Sequence, residues 1–277
     1  RRHESRRIDN QLRGRAGRQG DPGSTRFYLS MEDDLMQRFG GERVKSLMER
    51  ISPEDDIPIE VGLLTKQIES AQKRVEAYNF DIRKNVLQYD DVMNRQREII
   101  YGQRRKVLMG EDIRDSIQEM VKECVQIRCA QFCPSALPAE EWDLAGLRSD
   151  FLQLTGLDCQ DTIKDITDAD QLEAAMEELA AQGYEKKEQD ILKAAHEMGG
   201  AADMREIERV LLLRAVDEHW MDHIDAMDQL RQGIGLQALG QKDPVVAYRN
   251  AGFDMFDEMV RGIREKTVRS LYHLSLI

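Results

Sequence analysis

Residues 63–101 contain neither proline nor glycine and read LLTKQIESAQKRVEAYNFDIRKNVLQYDDVMNRQREIIY. Apolar side chains recur in and just beyond this segment every three or four residues, which is the spacing of one face of an α-helix. This apolar stripe consists of Leu64, Ile68, Ala71, Val75, Tyr78, Ile82, Val86, Tyr89, Val92, Met93, Ile99, Ile100 and Val107. It predicts one helix of about 45 residues, on the order of 65 Å long. A helix of that length indicates a mainly α-helical protein in which a long scaffold helix joins several domains.

A coiled-coil dimer arm is the alternative explanation for so long a helix. The apolar stripe departs from a strict heptad, however, and arginine and lysine cluster over residues 95–106. Both features count against a continuous two-stranded contact.

The segment before the scaffold helix indicates the end of an α/β domain. Residues 1–26 are polar and rich in glycine, and the aromatic residues over 26–31 predict a short β-strand. Ser30 and Asp33 have the spacing of a capping box, which predicts that a helix begins there. A second short helix is predicted over 43–51.

Residues 111–200 form an acidic region with helices of its own. Helical patterns near 111–131 and 168–198 flank a connection that contains two prolines, Trp142 and Phe151. We interpret this region as a small helical domain inserted into the scaffold. The domain boundaries are therefore predicted as 1–41, 42–109, 110–200 and 201–277.

The last section predicts an antiparallel helical hairpin. Apolar residues keep helical spacing from Ile207 to Leu230, and again from Val245 to Leu274. Asp243 can cap the second helix and the proline after it fits the first helical position. We expect the two apolar stripes to face each other or to pack on the scaffold helix.

The connection between these two helices carries Ile234, Leu236 and Leu239 among several glycines. It is longer than a helical hairpin requires. Exposed apolar residues on a projecting loop indicate contact with another apolar surface. A tip that packs inside the protein is the alternative.

Charge is distributed unevenly along the chain. The net charge is −12, but residues 1–26 hold eight basic and three acidic side chains, whereas residues 111–200 hold eight basic and twenty-one acidic ones. The N-terminal part could therefore meet an anion, while the acidic region would repel nucleic acid. No apolar run approaches the ~18 residues that span a bilayer, and no signal peptide is visible.

Neither the cysteines nor the histidines indicate a metal site. The cysteines match no common zinc-binding spacing, so we expect free thiols in a reducing compartment. They are Cys124, Cys129, Cys133 and Cys159. His219 and His223 lie four residues apart, as two metal ligands on a helix can, but no third ligand is apparent. We expect them to form hydrogen bonds within the helix contact.

Residues 11–21, QLRGRAGRQGD, alternate three arginines with three glycines. Glycine lets the backbone approach a neighbour closely, and arginine presents a planar, permanently charged fork to phosphate oxygens. An arginine aimed at a γ-phosphate stabilises the charge that develops as the phosphoryl group transfers. The spacing therefore predicts a phosphate-facing edge that contains Arg15 and Arg18. A basic surface loop without a ligand is the alternative.

The segment from His3 to Asp21, HESRRIDNQLRGRAGRQGD, closely resembles the last helicase-type motif of the SecA family, the motor ATPases of bacterial protein export. The resemblance extends over nearly the whole chain in the family's order and is weak through residues 111–200. The other matching segments are Asn79–Lys84, Tyr89–Val92, Trp220–Ile234 and Gln241–Pro244.

This resemblance assigns a part to each predicted domain. Residues 1–41 resemble the end of the second RecA-like nucleotide-binding domain, and the long helix with the hairpin resembles the helical scaffold domain. The acidic insert resembles the helical wing domain. The hairpin itself is similar to the two-helix finger that reaches into the mouth of the SecY channel beside the translocating polypeptide.

The resemblance also implies roles for single residues. Arg15 and Arg18 match the arginine fingers and are the expected catalytic residues. Trp220 falls in the finger helix associated with restraint of ATPase activity, which implies a regulatory role. The residues expected beside the nucleotide are Gln11, Gly14, Gly17 and Asp21, and those expected to contact substrate or channel are Ile234, Leu236 and Leu239. Leu239 stands where the family commonly has tyrosine. An aromatic contact with the substrate is therefore not expected here, whereas an apolar contact that pushes the substrate is.

The function implied is that of an ATP-driven preprotein translocase, with ATP and Mg²⁺ as cofactors of the full-length protein. The sequence contains no Gly-x-x-x-x-Gly-Lys-Ser/Thr loop. Because it also starts at Arg1 inside the arginine motif, we expect a C-terminal part that binds no cofactor and has no ATPase activity alone. No zinc-binding cysteine tail follows Ile277, so an export chaperone is not assigned.

The implied partners are the SecYEG channel, an unfolded preprotein and, peripherally, acidic phospholipids of the membrane surface. A homodimer is compatible with the resemblance, and nucleic acid is not expected. The implied location is the cytoplasm and the cytoplasmic face of the bacterial plasma membrane. Two alternatives stay open from the residues alone: a fragment of a superfamily 2 nucleic-acid helicase, and a non-enzymatic helical scaffold or adaptor.

Overall fold

The computed structural model describes residues 2–30, 33–39, 62–110, 112–197, 203–234 and 243–275. Within these ranges the regular elements are all helical, as a mainly α-helical fold predicts. The α-helices are α1 Arg6–Arg13, α2 Asp34–Phe39, α3 Gly62–Leu108, α4 Arg114–Phe132, α5 Leu144–Thr155, α6 Gln160–Ile163, α7 Ala169–Glu197, α8 Met204–Ile234 and α9 Pro244–Tyr272. Two 3₁₀ turns cover Arg18–Gly20 and Ala139–Glu141. The helix predicted over 43–51 lies outside the described residues.

Helix α3 confirms the predicted long helix, because it runs through 47 residues without interruption. The chain divides into two compact units, residues 1–88 and residues 89–277, and the boundary falls inside this helix. Each unit is described by itself below.

In the first unit, the strand predicted over 26–31 is wrong for the described residues 26–30, which form no regular element. A strand needs a neighbouring strand to pair its backbone groups, and the described part of this unit offers none. The aromatic ring that suggested the strand, Phe27, instead packs against two guanidinium groups. The Cζ atoms of Arg2 and Arg13 lie 5.8 and 5.2 Å from its centroid.

The predicted helix start near Ser30 is supported by one bond of the capping box. The Ser30 backbone N–H donates to the Asp33 carboxylate at 3.1 Å, and α2 follows directly. Leu35 of α2 is buried in a small apolar cluster with Ala71 and Val75 of α3. Among the described residues of the first unit, the buried apolar core is therefore small.

The second unit contains one large apolar core. Helix α4 packs on α5 and α7, while α9 contacts α4, α5 and α8. Ile100 and Val107 of α3 belong to the same core. Its fully buried side chains include Ile117, Leu147, Phe151, Leu154, Leu172, Met176 and Leu271. The acidic region and the hairpin thus share one core in this unit.

Helices α8 and α9 form the predicted antiparallel hairpin. His219 of α8 lies against Gly262 of α9, whereas Met227, further along α8, lies against Gly252, earlier in α9. The side chain of Asp243 accepts a hydrogen bond from the Val245 backbone N–H at 2.8 Å, which confirms it as the cap of α9.

A buried arginine connects three helices of the second unit. Arg128 of α4 is only 7% exposed, and its guanidinium reaches Asp150 of α5 and Glu265 of α9. It also donates to the Cys124 carbonyl oxygen at 3.0 Å. Because the charge is paired on both sides, its burial is tolerated.

The four cysteines are free and buried, which confirms the expected free thiols. Desolvation raises the pKa of Cys124 to about 11, of Cys129 to about 12 and of Cys133 to about 11. The pKa of the Cys159 thiol is raised for the same reason. All four are therefore protonated and unreactive near pH 7.

The core assignment predicts a contrast between two phenylalanines. Phe151→Ala should lower the free energy of unfolding by about 3–5 kcal/mol, because it removes a fully buried ring. Phe253→Ala, at a ring that is 63% exposed, should change it by less than about 0.5 kcal/mol. Urea denaturation of both variants checks this, and equal effects would contradict the core assignment.

Candidate functional site

Helix α1, which leads into the arginine motif, is fixed on α3 by a carboxylate at its N-terminus. Ser5, at the cap position, makes no side-chain cap bond. Glu76 of α3 supplies one instead: its carboxylate accepts from the Arg6 backbone N–H at 2.8 Å and from the Arg6 guanidinium at 2.8 and 3.0 Å. These bonds hold the pKa of Glu76 below its usual value.

A buried polar network fixes α1 a second time. Asp9 of α1 and Gln72 of α3 are 4% and 1% exposed. The Gln72 amide nitrogen donates to the Asp9 carboxylate at 2.6 Å and to the His3 carbonyl oxygen at 2.7 Å. The His3 backbone N–H donates to the other Asp9 oxygen at 2.8 Å. The carboxylate is thereby satisfied, as a buried charge must be.

The loop that follows α1 is folded tightly on itself by two glycines. Gly17 has a φ of +67°, in the left-handed region. A Cβ atom placed on Gly23 would lie 2.3 Å from the Gly17 backbone nitrogen, and one placed on Gly17 would lie 2.8 Å from the Asp21 carbonyl oxygen. No side chain fits at either position without moving the backbone. The loop therefore depends on glycine for its shape, as the motif predicted.

The predicted nucleotide-site residues lie together in this short segment. Gln11 is on α1, Gly14 caps its C-terminus, and Asp21 follows the 3₁₀ turn. Arg15 and Arg18 are exposed, and within the described residues neither forms an ion pair or hydrogen bond through its guanidinium. Two permanent positive charges are thus presented to solvent on a fixed backbone, where they can accept an anion.

The second candidate site is the contact of the hairpin with the second-unit part of α3. Trp220 of α8 is 5% exposed, so its indole belongs to the core. The ring stacks on His223 with centroids 5.7 Å apart and meets the edge of Tyr101 of α3 at 6.2 Å. Its N–H finds no acceptor among the described residues. A buried donor without an acceptor is uncommon and costs stability.

The histidines form hydrogen bonds, as expected. His223 Nε2 lies 2.9 Å from the Gln96 side-chain oxygen, and His219 Nδ1 lies 3.0 Å from the Ala215 carbonyl oxygen. Desolvation lowers the pKa of His223, so its ring is neutral near pH 7. Within the described ranges, no three histidine, cysteine, aspartate or glutamate side chains are grouped to hold a metal ion.

The expectation that Ile234 is exposed is wrong. Ile234 ends α8, is 2% exposed and packs with Met227 and Tyr248. Its helix continues further than the glycines suggested, which carries the side chain onto the apolar face of the hairpin. Leu236 and Leu239 lie outside the described residues, and their contact with substrate or channel stays a prediction.

Two glutamines that organise these sites were missed in the sequence. Gln72 and Gln96 both occupy positions on the apolar face of α3, among Ile68, Val75, Val92 and Ile100. A polar residue at an apolar position of a helical stripe was the available signal, because such a side chain must find buried partners. The apolar spacing alone could not reveal which partners it finds.

The chain is similar to known proteins along its whole length. The family described as SecA Wing and Scaffold domain matches residues 58–275, and the SecA P-loop domain family matches residues 1–56. A Protein translocase subunit SecA of Caldicellulosiruptor saccharolyticus is 53% identical over 277 residues, 99% of this chain and 32% of the relative. One of Pelotomaculum thermopropionicum is 50% identical over 280 residues, 100% of this chain and 30% of the relative. The chain therefore spans about a third of the length of these relatives.

The anchoring of α1 can be tested at Gln72. Gln72→Leu should remove one of the two donors to the buried Asp9 carboxylate, so the backbone amides of α1 should exchange hydrogen about tenfold faster or more. Lys73→Leu, the same change at the exposed neighbouring position, is the control and should leave exchange unaltered. Hydrogen exchange followed by mass spectrometry measures both; equal behaviour would show that Gln72 does not anchor α1.

Proposed function

Because the chain belongs to the SecA family, we propose that it forms part of an ATP-driven motor that moves preproteins through the SecYEG channel. The chain corresponds to about a third of its relatives' length, so the activity is proposed for the whole protein. We also propose the domain boundaries 1–41, 42–109, 110–200 and 201–277 for its nucleotide-binding end, scaffold helix, wing and finger.

The observation that carries this proposal is that the guanidinium groups of Arg15 and Arg18 are exposed and have no partner among the residues that the structure describes. Their backbone is held by the Gly17–Gly23 contact and by the two anchors of α1 on α3. Preorganised positive charge stabilises the charge that builds up on a transferring phosphoryl group. We propose that both arginines reach the γ-phosphate of ATP bound by a second lobe, with Gln11, Gly14, Gly17 and Asp21 bordering the nucleotide.

ATP and Mg²⁺ are proposed as cofactors of the whole protein. The bound nucleotide would supply the transferable phosphoryl group, and the Lys-containing phosphate loop that holds it would come from outside these 277 residues. The isolated chain is therefore proposed to bind no nucleotide productively and to hydrolyse no ATP.

The exposed apolar side chains of α3 support the view that further parts of the protein pack on it. In the first unit, five large apolar side chains of this helix are at least 46% exposed. They are Tyr78, Phe80, Ile82, Val86 and Leu87. Apolar side chains concentrated in this way are typical of a surface that another part covers. The remaining two thirds of the motor would supply that cover.

The hairpin is proposed to contact the moving polypeptide and the channel through Leu236 and Leu239. The burial of Ile234 leaves this residue with a packing role at the base of the tip. Trp220 is proposed to restrain ATP turnover from within the hairpin contact.

The described residues contain no helix that is long and apolar enough to span a membrane. We propose peripheral attachment to the cytoplasmic face of the plasma membrane, where acidic phospholipids are found.

The arginine assignment predicts a large kinetic effect in the complete motor. Arg18→Ala and Arg15→Ala should each lower kcat for ATP hydrolysis by about 10²–10³-fold, because one transition-state donor is lost. Affinity for ATP should change little, since the other lobe would hold the nucleotide. Steady-state hydrolysis and nucleotide titration measure the two quantities.

The control for this experiment is Arg7→Ala, an exposed arginine of α1 outside the proposed site, which should hydrolyse ATP at the wild-type rate. The isolated chain of 277 residues should show no turnover. Turnover by the isolated chain, or a complete motor indifferent to Arg18→Ala, would overturn the assignment.

The role of the tip predicts a separation of two activities. Leu239→Gly in the complete motor should reduce preprotein translocation into SecYEG vesicles several-fold, because an apolar contact with the moving chain is lost. Basal ATP hydrolysis should be unchanged, since the tip has no part in the nucleotide site. Unchanged translocation would show that the tip is wrongly assigned.

A further inference from the structure

The side chain of Gln96 connects α3 to both helices of the hairpin. It is 6% exposed. Its amide nitrogen donates to the Gly252 carbonyl oxygen of α9 at 2.8 Å, and its oxygen lies 2.9 Å from His223 Nε2 of α8. A carbonyl oxygen only accepts, so the amide nitrogen must face Gly252 and the amide oxygen must face His223. His223 therefore carries its proton on Nε2 and donates to Gln96.

The helices approach closely at this point. A Cβ atom on Gly252 would lie 2.8 Å from the Met227 methyl carbon and 3.6 Å from a Val92 methyl carbon. The ring of His223 also meets the edge of Phe256 with centroids 5.9 Å apart. Apolar helix faces alone tolerate a shift along the axis, whereas two directional hydrogen bonds are satisfied at one axial position only.

The contact between the hairpin and α3 also contains a buried donor that destabilises this axial position. The indole N–H of Trp220 is buried without an acceptor among the described residues, one turn from His223 on α8. An unsatisfied buried donor destabilises the arrangement in which it occurs. Any displacement that brings the indole N–H to water or to an acceptor removes this cost.

We propose that Gln96 is a positioning residue that holds the hairpin at one axial position on α3, and that the unsatisfied indole N–H of Trp220 favours release of the hairpin from that position. The two residues therefore have opposite effects on one equilibrium, between the hairpin held at this axial position on α3 and the hairpin released from it. In the motor, this equilibrium sets how readily the finger moves relative to its scaffold helix. That biological meaning rests on the proposed function, whereas the equilibrium itself is a property of this chain.

The test uses hydrogen exchange of the complete chain of 277 residues. Gln96→Met keeps the length of the side chain and removes both hydrogen bonds, so amides of α8 and α9 should exchange about tenfold faster while those of α4 and α7 stay unchanged. Gln103→Met, at an exposed position on the same helix, is the matched control and should change neither.

The role of Trp220 is tested with an isostere. Replacing it with 3-benzothienylalanine, in a Trp142→Phe background, keeps the shape of the indole and removes its N–H. The backbone amides of α8 and α9 should then exchange hydrogen about fivefold more slowly. The same replacement should partly restore slow exchange to the Gln96→Met variant. If Gln96 only filled space in this contact, removing the indole N–H would not restore slow exchange to Gln96→Met.

Fluorescence gives an independent readout. The chain has two tryptophans, so Trp142→Phe leaves Trp220 as the only indole. Adding Gln96→Met should move its emission to longer wavelength as the ring gains water. The destabilising change Phe151→Ala should not move it under native conditions.

The inference is overturned by equal acceleration across α4, α7, α8 and α9, by unchanged exchange in Gln96→Met, or by faster exchange with the isostere. None of these measurements involves nucleotide, channel or preprotein. A negative result for Gln96 and Trp220 would therefore not affect the proposed ATPase function. Wild-type ATP hydrolysis by the Arg15 and Arg18 variants would likewise not affect the proposal for Gln96 and Trp220.

Discussion

A buried amide side chain must satisfy both of its polar ends, and this requirement governs how the described elements attach to α3. In the first unit, the Gln72 amide nitrogen donates to Asp9 and His3 and its oxygen lies 3.5 Å from the Arg2 guanidinium. In the second unit, the Gln96 amide nitrogen donates to Gly252 and its oxygen accepts from His223. The surrounding apolar contacts supply most of the stability but little direction. The two amides supply direction, because their bonds form at one position of the partner helix only.

The long helix and the hairpin could be predicted because their signals are local. The apolar period of α3, the absence of proline and glycine, and the Asp243 cap of α9 each act within a few turns of chain. The strand over 26–31 could not be judged in that way, because a strand depends on a partner that the local pattern does not describe. Ile234 was misplaced for a related reason: glycine in the last turn did not end α8, since tertiary packing with Met227 and Tyr248 outweighs helix propensity.

The arginine motif shows the same limit at the candidate site. Its glycines predict a tight loop, and the loop is tight because Gly17 and Gly23 are in backbone contact. The support beneath it comes from Asp9, Gln72 and Glu76, of which two lie about seventy residues further along the chain. Long-range partners of this kind leave no spacing pattern. The proposed role of the exposed arginines would require a nucleotide held by another part of the protein.

The burial of all four thiols has a practical consequence for the study of motion in this chain. Maleimide reacts with thiolate, and desolvation keeps Cys124, Cys129, Cys133 and Cys159 protonated at neutral pH. Two cysteines introduced on the surface could therefore be labelled selectively while the native four remain in place. Fluorophore pairs on the hairpin and on α4 could then report distance changes in real time, without the core mutations that a cysteine-free background would require.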